Sequence, residues 1–546
     1  MMRMKSVYTL IIMMLAYLFT TDTLYAERLE SPKLKVKEPS FAEMSSASVT
    51  WLPVPNATGY EVIMNGQPIE VVGNTLYLSG KNGKHTISIK ALAEGFEESL
   101  PSVTSITVRD YGDGTEANPY RIYTKEDWGT FAAALTRNLF ANDGFRGEYV
   151  ALGADIDFEG TRIVPVAKNF ATAFQGTFDG QGYMLSNAIL EGSQSMGLFV
   201  SLRGIVKNLK VNAIKVKSSV KGSNDGRSAV LCGGETSGQL YNCIVMNSSV
   251  EVTGDNAGAY GAAIVSVLNS PLALVDRCIA TNNRIKVDNH TASAVVARFV
   301  SGTVRNCVAQ NNEIYSGCKF AAGIAGSVCG QQAVLDHCLS SCNKITSRLL
   351  YSAGVAADIS AGLTVNCISD SNVIVVEQMR CAGGIAGLIR KEGNLVNCLS
   401  KACVLNVKET KEPYIGLVFS LAEKDWKGMI ANCVVLSGVA DVSTDATGFI
   451  GIIGGSISEL YRCSECYYSD ALITEYNKNQ SGRFYGFGLP RSRGNNHDCA
   501  YPVRKSSMES MSSDSILNRL NAGAYRYSSY GATRWILGAD GLPMIN

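Results

Sequence analysis

Three acids stand close together early in the chain, Asp155 and Asp157 in "ALGADIDFEG" and Asp179 in "GTFDGQGY", with Arg162 and Lys168 nearby. Residues of these types can cleave sugar polymers. Two carboxylates flanking a glycosidic bond serve as acid and base, or as acid and nucleophile. Carboxylates that hold calcium beside a basic residue support the proton abstraction of a lyase. The same residues have a plainer use, because Asp next to Gly closes a turn on its own backbone. The three acids are therefore the candidates if the protein is an enzyme, and no catalytic residue is assigned outright. His85, His290, His337 and His497 belong to no constellation, and Asp276, Asp336 and Asp358 stand singly. Neither an HExxH phrase nor a GxSxG phrase with a suitably placed His is present.

The 16 cysteines are the other chemically capable set. "CSEC", Cys463 to Cys466, has the spacing of a redox or zinc half-site, but no second pair accompanies it, so neither a metal nor a cofactor is expected. Aligning an apolar-x-polar-Cys-apolar phrase places Cys243, Cys278, Cys307, Cys338, Cys367, Cys398, Cys433 and Cys463 at intervals of 35, 29, 31, 29, 31, 35 and 30 residues. Equal spacing points to a stacked core column of small hydrophobes; a disulfide framework is the alternative in an exported chain. The residue before each Cys is Asn242, Arg277, Asn306, His337, Asn366, Asn397, Asn432 or Arg462. Long charged groups cannot stack inside without partners. The spacing therefore predicts a bend or bulge at that position, with Cys turned inward.

A period of about 30 residues is that of a solenoid. Each unit carries a Gly/Ala-rich run such as "AAGIAG" or "AGGIAG", the Cys strand, and a β-branched run such as "NRIKV" or "NVIVV". These read as three strands making three sides of a coil. A two-helix repeat is excluded by the glycines in what would be helix interiors. Before the coil, Thr124 with Asp127 three residues on predicts a capped helix through "EDWGTFAAALTRNLF". Near the end, "SSDSILNRLNAG" predicts a second short helix with Ser512 or Ser513 as N-cap. Further upstream, "ASVTWLPV", "GYEVIMNG", "KHTISIKAL" and "SITV" alternate apolar and polar residues between turns, as in a small antiparallel sandwich.

Two resemblances follow from these phrases. "DIDFEG", "GTFDGQGY", "GLF", "GIVKNLKV" and the later "GGIAG" runs resemble the GLUG-type repeat proteins of bacterial surfaces, over about residues 113 to 470. The resemblance implies a right-handed parallel β-helix, repeats that are chiefly architectural, and an adhesin-like role. The placing of Trp51, Tyr60 and "ISIKALAEG" resembles a fibronectin type III domain, which implies a spacer module.

The expected fold is thus all-β: an N-terminal β-sandwich followed by a right-handed parallel β-helix with short capping helices. Residues 1–26, with Arg3 and Lys5 before "VYTLIIMMLAYLF" and a cleavage position after Ala26, read as a signal peptide. Residues 29–108 are then the sandwich, 109–123 a linker, 124–499 the β-helix with its cap helix, and 500–546 a C-terminal cap. A net charge of +1 with 18% charged residues gives no footprint for nucleic acid or a membrane surface. The expectation is an exported monomer, secreted or at the cell surface or outer membrane, with no membrane span once the signal is removed. It would be a non-catalytic, adhesin-like protein that presents its coil to an extracellular glycan or protein. A polysaccharide lyase or glycoside hydrolase on the same scaffold is the alternative. Late aromatics supply candidate binding residues, Tyr467, Tyr468, Tyr485 and Trp535, since exposed rings stack on sugar faces; their plainer use is to seal the coil's end.

Overall fold

The computed structural model describes residues 26–41, 47–78, 82–137, 143–167, 172–220, 226–254, 258–378, 381–407, 413–442, 449–457, 462–469, 472, 500–503 and 515–546. Residues 1–25 of the expected signal peptide, together with Lys168, Tyr485 and Cys499, lie outside them. The chain divides into two compact units, Met1–Gly112 and Asp113–Asn546.

The first unit holds seven strands: β1 (Leu34–Lys37), β2 (Ser48–Trp51), β3 (Gly59–Met64), β4 (Gln67–Ile69), β5 (Thr75–Tyr77), β6 (Gly83–Leu92) and β7 (Ser102–Val108). They form two antiparallel sheets, ordered β1-β2-β5 and β4-β3-β6-β7. Alternation decides which residues face inward. Val49 and Trp51 of β2, Leu76 of β5, Val62 of β3, and Ile87 and Ile89 of β6 are buried in one core between the sheets. Trp51 meets Tyr60 edge to face with ring centroids 5.4 Å apart.

The second unit is a right-handed parallel β-solenoid of about ten turns. One turn contains five short strands. In residues 320–347 these are Phe320–Ala322, Ala325–Val328, Ala333–Asp336, Leu339–Ser341 and Lys344–Ser347, and we call the sheets they belong to A, B, C, D and E. Each pairs in register with its counterpart one turn on, as Phe320 with Tyr351, Ala325 with Ala356, Val334 with Leu363, Leu339 with Ile368 and Lys344 with Val373. The three-strand turn expected from the sequence is thus corrected to five. Strands of three or four residues separated by corners of two to four residues escape detection by a two-residue period.

Those corners are made by left-handed residues. Between sheets C and D, Asn242, Arg277, Asn306, His337, Asn366, Asn397 and Asn432 all have φ between 47° and 54°. The bend expected before the Cys column is therefore a left-handed residue, a conformation that Asn tolerates best among residues with side chains. The following Cys turns inward, and Cys243, Cys278, Cys307, Cys338, Cys367, Cys398 and Cys433 are all buried. These thiols donate to main-chain carbonyls, as Cys307 to Arg305 at 3.2 Å and Cys398 to Val396 at 3.3 Å. The eighth member is corrected to Cys466. It stands in register with Cys433, because Val434 pairs with Tyr467, whereas Cys463 pairs with Ile430. No disulfide joins the fifteen described cysteines.

The "GGIAG" glycines sit at the A–B corner. A Cβ on Gly323 would run into the Ser340 side chain and the Gly354 carbonyl, and one on Gly354 into Ser369 and the Gly384 carbonyl. Glycine recurs because each corner rests directly on the next. Between sheets D and E a further column is wholly interior: Asn283, Asn312, Asn343 and Asn372 are at most 3% exposed. Each uses Nδ2 to reach the carbonyl of Val245, Ala280, Ala309 or Ser340 at 2.8–2.9 Å. The Oδ1 of Asn312, Asn343 and Asn372 accepts the main-chain N–H of the preceding member at 2.8–2.9 Å.

Two helices pack on the described coil, one at its first turn and one along its flank. α1 (Lys125–Arg137) begins with the expected reciprocal cap: the Thr124 hydroxyl accepts from Asp127 N–H, and the Asp127 carboxylate accepts from Thr124 N–H, both at 3.1 Å. Its Trp128 packs edge-on to Phe158, Phe178 and Phe199, filling the first turn with rings. Tyr120–Ile122, placed in the linker by sequence, already pairs with Tyr149–Leu152 as part of sheet C. At the far end, Ala500–Val503 pairs with Cys466–Ser469 and continues sheet D. α2 (Ile516–Arg526) is capped by Ser515, which replaces the expected Ser512 or Ser513. With the hairpin Trp535–Leu537/Pro543–Ile545 it lies along the flank of the coil, bonding His337, Asn366, Asn397 and Asn432 on four successive turns. The segment after residue 515 is thus a lateral strap.

Candidate binding groove

Two columns of side chains converge at the A–B corner. The first residue of each sheet A strand gives Arg227, Tyr260, Thr291, Phe320, Tyr351, Cys381, Tyr414 and Phe449. An in-register column of sheet B gives Glu235, Val267, Arg298, Ser327, Asp358, Leu388, Leu421 and Ser456. Between them runs an open cleft of about 440 Å³, bounded by Tyr260, His290 and Arg298 at one end and by Leu388, Arg390 and Glu423 at the other. Turns stack about 4.8 Å apart, so five spacings make the cleft about 24 Å long, parallel to the coil axis.

One wall is aromatic. Tyr260 and His290 have ring centroids 4.8 Å apart, His290 and Phe320 6.3 Å, and Phe320 and Tyr351 5.7 Å with planes only 26° apart. Burial pushes the Tyr351 hydroxyl up to about 12, so it is a neutral donor. Burial, reinforced by Lys319 and then Arg298, pushes His290 down to about 4. The neutral imidazole accepts from Lys319 Nζ at Nε2, 3.1 Å, and donates from Nδ1 to Thr291 Oγ1, 2.7 Å.

The other wall is charged. Arg298 holds its guanidinium 5.7 Å from the Tyr260 ring centroid. Asp358, 1% exposed, is gripped by Arg390 through Nε at 2.9 Å and Nη2 at 3.0 Å, and accepts from Ser327 Oγ at 2.8 Å. Burial nevertheless pushes the Asp358 carboxyl above its ordinary range.

Asp358 is thus committed to three donors, and the His290 imidazole is engaged at both nitrogens. Rings and charged groups along a rigid trough suit an extended ligand with apolar faces and polar edges.

The structure does not assemble the sequence candidates elsewhere. Asp155 accepts from Met184 N–H at 2.8 Å, Asp157 from Glu159 N–H at 2.8 Å and from Asn187, and Asp179 from Gln181 N–H at 2.8 Å and from Asn208. Asp157 and Asp179 each close a turn, Asp155 ties its corner to the next turn of the coil, and Arg162 pairs with Glu191. Tyr467, Tyr468 and Trp535 are 5%, 3% and 1% exposed, which withdraws them as surfaces for a ligand. Tyr467 and Trp535 pack with Leu399, Val434 and Leu520 beneath the strap. Among the described residues, no three of His, Cys, Asp and Glu gather as a metal site.

Sequence reading missed the groove, although a signal was present. Aligning the sheet A strands gives "RSAV", "YGAA", "TASA", "FAAG", "YSAG", "CAGG", "YIGL" and "FIGI", in which the first residue is aromatic five times out of eight.

No family model and no curated protein matches the chain. Among solved structures, one described as a "putative immunoglobulin A1 protease" from Bacteroides ovatus aligns over 80% of this chain and 94% of its own, at 16% identity and TM-score 0.29. One called IgA1 Protease aligns over 81% of this chain at 13% identity and TM-score 0.24, and the alignment spans only 29% of that protein. A family 28 exopolygalacturonase from Yersinia enterocolitica aligns over 81% and 92% of the two chains, at 9% identity and TM-score 0.20. Superpositions this loose say nothing of chemistry, and the groove stands on this chain's own geometry.

Proposed function

We propose that this protein is an exported, non-catalytic surface protein that holds an extended extracellular glycan along the A–B groove. The carrying observation is the trough itself: an aromatic wall from Tyr260 through Phe320 to Tyr351 facing a charged wall from Arg298 to Arg390. Sugar rings offer apolar faces to aromatic side chains and hydroxyls to polar ones, and a rigid corner costs little entropy to occupy. In this reading the solenoid is a GLUG-type repeat array, the N-terminal sandwich is a fibronectin type III-like spacer, and the chain acts as a monomer at the cell surface. The strand order β1-β2-β5 against β4-β3-β6-β7 supports the spacer assignment.

A glycan array probed with the full chain tests this, followed by titration of the best oligosaccharide against Tyr351→Ala. The expected loss is about tenfold in affinity, the weight of one stacked ring. Unchanged affinity would sink the groove as the site.

One observation favours a second reading. Asp358 is a buried carboxyl pushed up in pKa, with Glu423 also lining the cleft, as in a glycan-cleaving enzyme. New reducing ends or unsaturated products from a polysaccharide panel, lost in Asp358→Asn, would establish that reading; their absence favours binding alone.

A further inference from the structure

We propose that Arg298 and Lys319 form an anion subsite within the groove, so that the glycan it takes is an acidic one, bearing carboxylate or sulfate groups. This deepens the reading of the groove as a glycan site and rests on it.

The argument begins with charge that nothing in the groove neutralises. Arg390 is matched by Asp358, and beyond the cleft's end Arg227 is matched by Glu235 at 3.0 Å. Arg298 and Lys319 differ: among the described residues, neither has a carboxylate within ion-pairing distance. Arg298 has the Tyr260 ring at 5.7 Å and shares the cleft lining with the Cys329 thiol, while Lys319 has the imidazole Nε2 at 3.1 Å. Rings, thiols and neutral imidazoles hold a cation in place without cancelling its charge. Both cations line the same cleft on adjacent turns, and both act on His290 between them. Two partly buried like charges held together lower their mutual repulsion when an anion sits between them. A guanidinium and an ammonium supply charge-assisted donors for it.

The class of polymer follows from the backbone. Strands of sheets A and B around the groove are already paired on both sides by neighbouring turns, as Phe320–Ala322 is by Thr291–Ser293 and by Tyr351–Ala353. An acidic peptide would therefore find no open strand edge to extend. A sugar needs none, since Tyr351, the least buried ring of the wall, offers it apolar area while Arg298 and Lys319 take its acidic substituent.

The test titrates the full chain with a uronic-acid hexasaccharide, its carboxyl-reduced neutral counterpart, a sulfated hexasaccharide and poly-glutamate. The expected result is tighter binding of the carboxylated or sulfated sugar than of the neutral one by about tenfold or more. Arg298→Gln and Lys319→Gln should each lose about tenfold for the acidic sugar and little for the neutral one, the weight of one hydrogen bond to a charged group. Far-UV circular dichroism checks folding, and Arg298→Lys, which keeps the charge, should retain part of the preference. An independent readout on the wild type is the His290 imidazole. Seating an anion beside Arg298 and Lys319 should raise its NMR titration midpoint from about 4. Equal affinity for acidic and neutral sugars, or variants that leave the preference intact, would overturn the subsite while leaving the groove standing. Tighter binding of poly-glutamate would overturn the choice of glycan. Binding of none of the four would remove subsite and groove reading together.

Discussion

Asparagine does two different jobs in this coil, and only one of them is visible at the surface. At the C–D corner it adopts φ near +50°, a place that Arg277 and His337 also fill. In the D–E column it is buried and completes the hydrogen bonds of two neighbouring turns. Truncating Asn343 orphans the Asn312 N–H and the Ala309 carbonyl. Asn343→Ala should therefore cost about 2–4 kcal/mol in urea unfolding, since each unsatisfied buried group costs roughly 1–3 kcal/mol. The cysteine column makes a second prediction. Burial pushes Cys278, Cys338 and Cys398 well above the ordinary thiol range, while Cys342 is exposed at a corner. A thiol reagent should label Cys342 in the native protein and the column only after denaturation. Column labelling at the Cys342 rate would contradict the packing. The sequence disclosed that these thiols are stacked, because apolar neighbours repeat around them. It misplaced the last one because "YRC" imitates the phrase, whereas the left-handed residue that sets the corner is Glu465, ahead of Cys466. Corner conformation, which no residue type uniquely encodes, decides that register.

Among the elements, the strap is the one whose role the sequence concealed. Its helix was legible from Ser, Ile and Leu spacing, but a helix near a terminus reads equally well as an end cap or a flank. The deciding contacts are long-range: Trp535 Nε1–H donates to Asn397 Oδ1 at 2.6 Å, and Asn366 Nδ2–H donates to the Gly531 carbonyl at 2.9 Å. Trp535→Ala should weaken docking by about 3–5 kcal/mol, the usual cost of emptying a buried tryptophan site, and limited proteolysis should then release the strap while the coil stays intact. Stability of the coil should also respond to pH through His337. Its Nε2 meets Thr533 Oγ1 at 3.0 Å and its Nδ1 lies 2.6 Å from the Asp336 carboxylate, with Asn366 also at hand. The hydrogen bond to Asp336 holds His337 above its ordinary value. A raised folded-state pKa contributes stability that is complete below the unfolded value of about 6.5 and is lost as pH rises through the raised one. Unfolding in urea should therefore become easier from pH 6 to pH 9, and His337→Gln should flatten that dependence.

On the scale of the whole molecule, periodicity explains both what was readable and what was not. A thirty-residue repeat of Gly/Ala, Cys and β-branched runs announced a coil, because like turns must rest on like turns. The groove was hidden because its walls come from two columns seven residues apart within one turn, as with Tyr351 and Asp358, and each column varies in chemistry from turn to turn. Variation without disturbance of the core is what the solenoid permits. Core positions repeat, while the corner can carry Arg, Tyr, Phe or Asp at no cost to stacking. The central claim, that this corner is where a ligand lies, is tested most directly by a crystal structure of the full chain with an acidic hexasaccharide. The prediction is a saccharide parallel to the coil axis between sheets A and B, with one sugar over Phe320 and Tyr351 and an acidic group between Arg298 and Lys319. A saccharide lying across sheet E or against the strap, with the A–B corner empty, would contradict it.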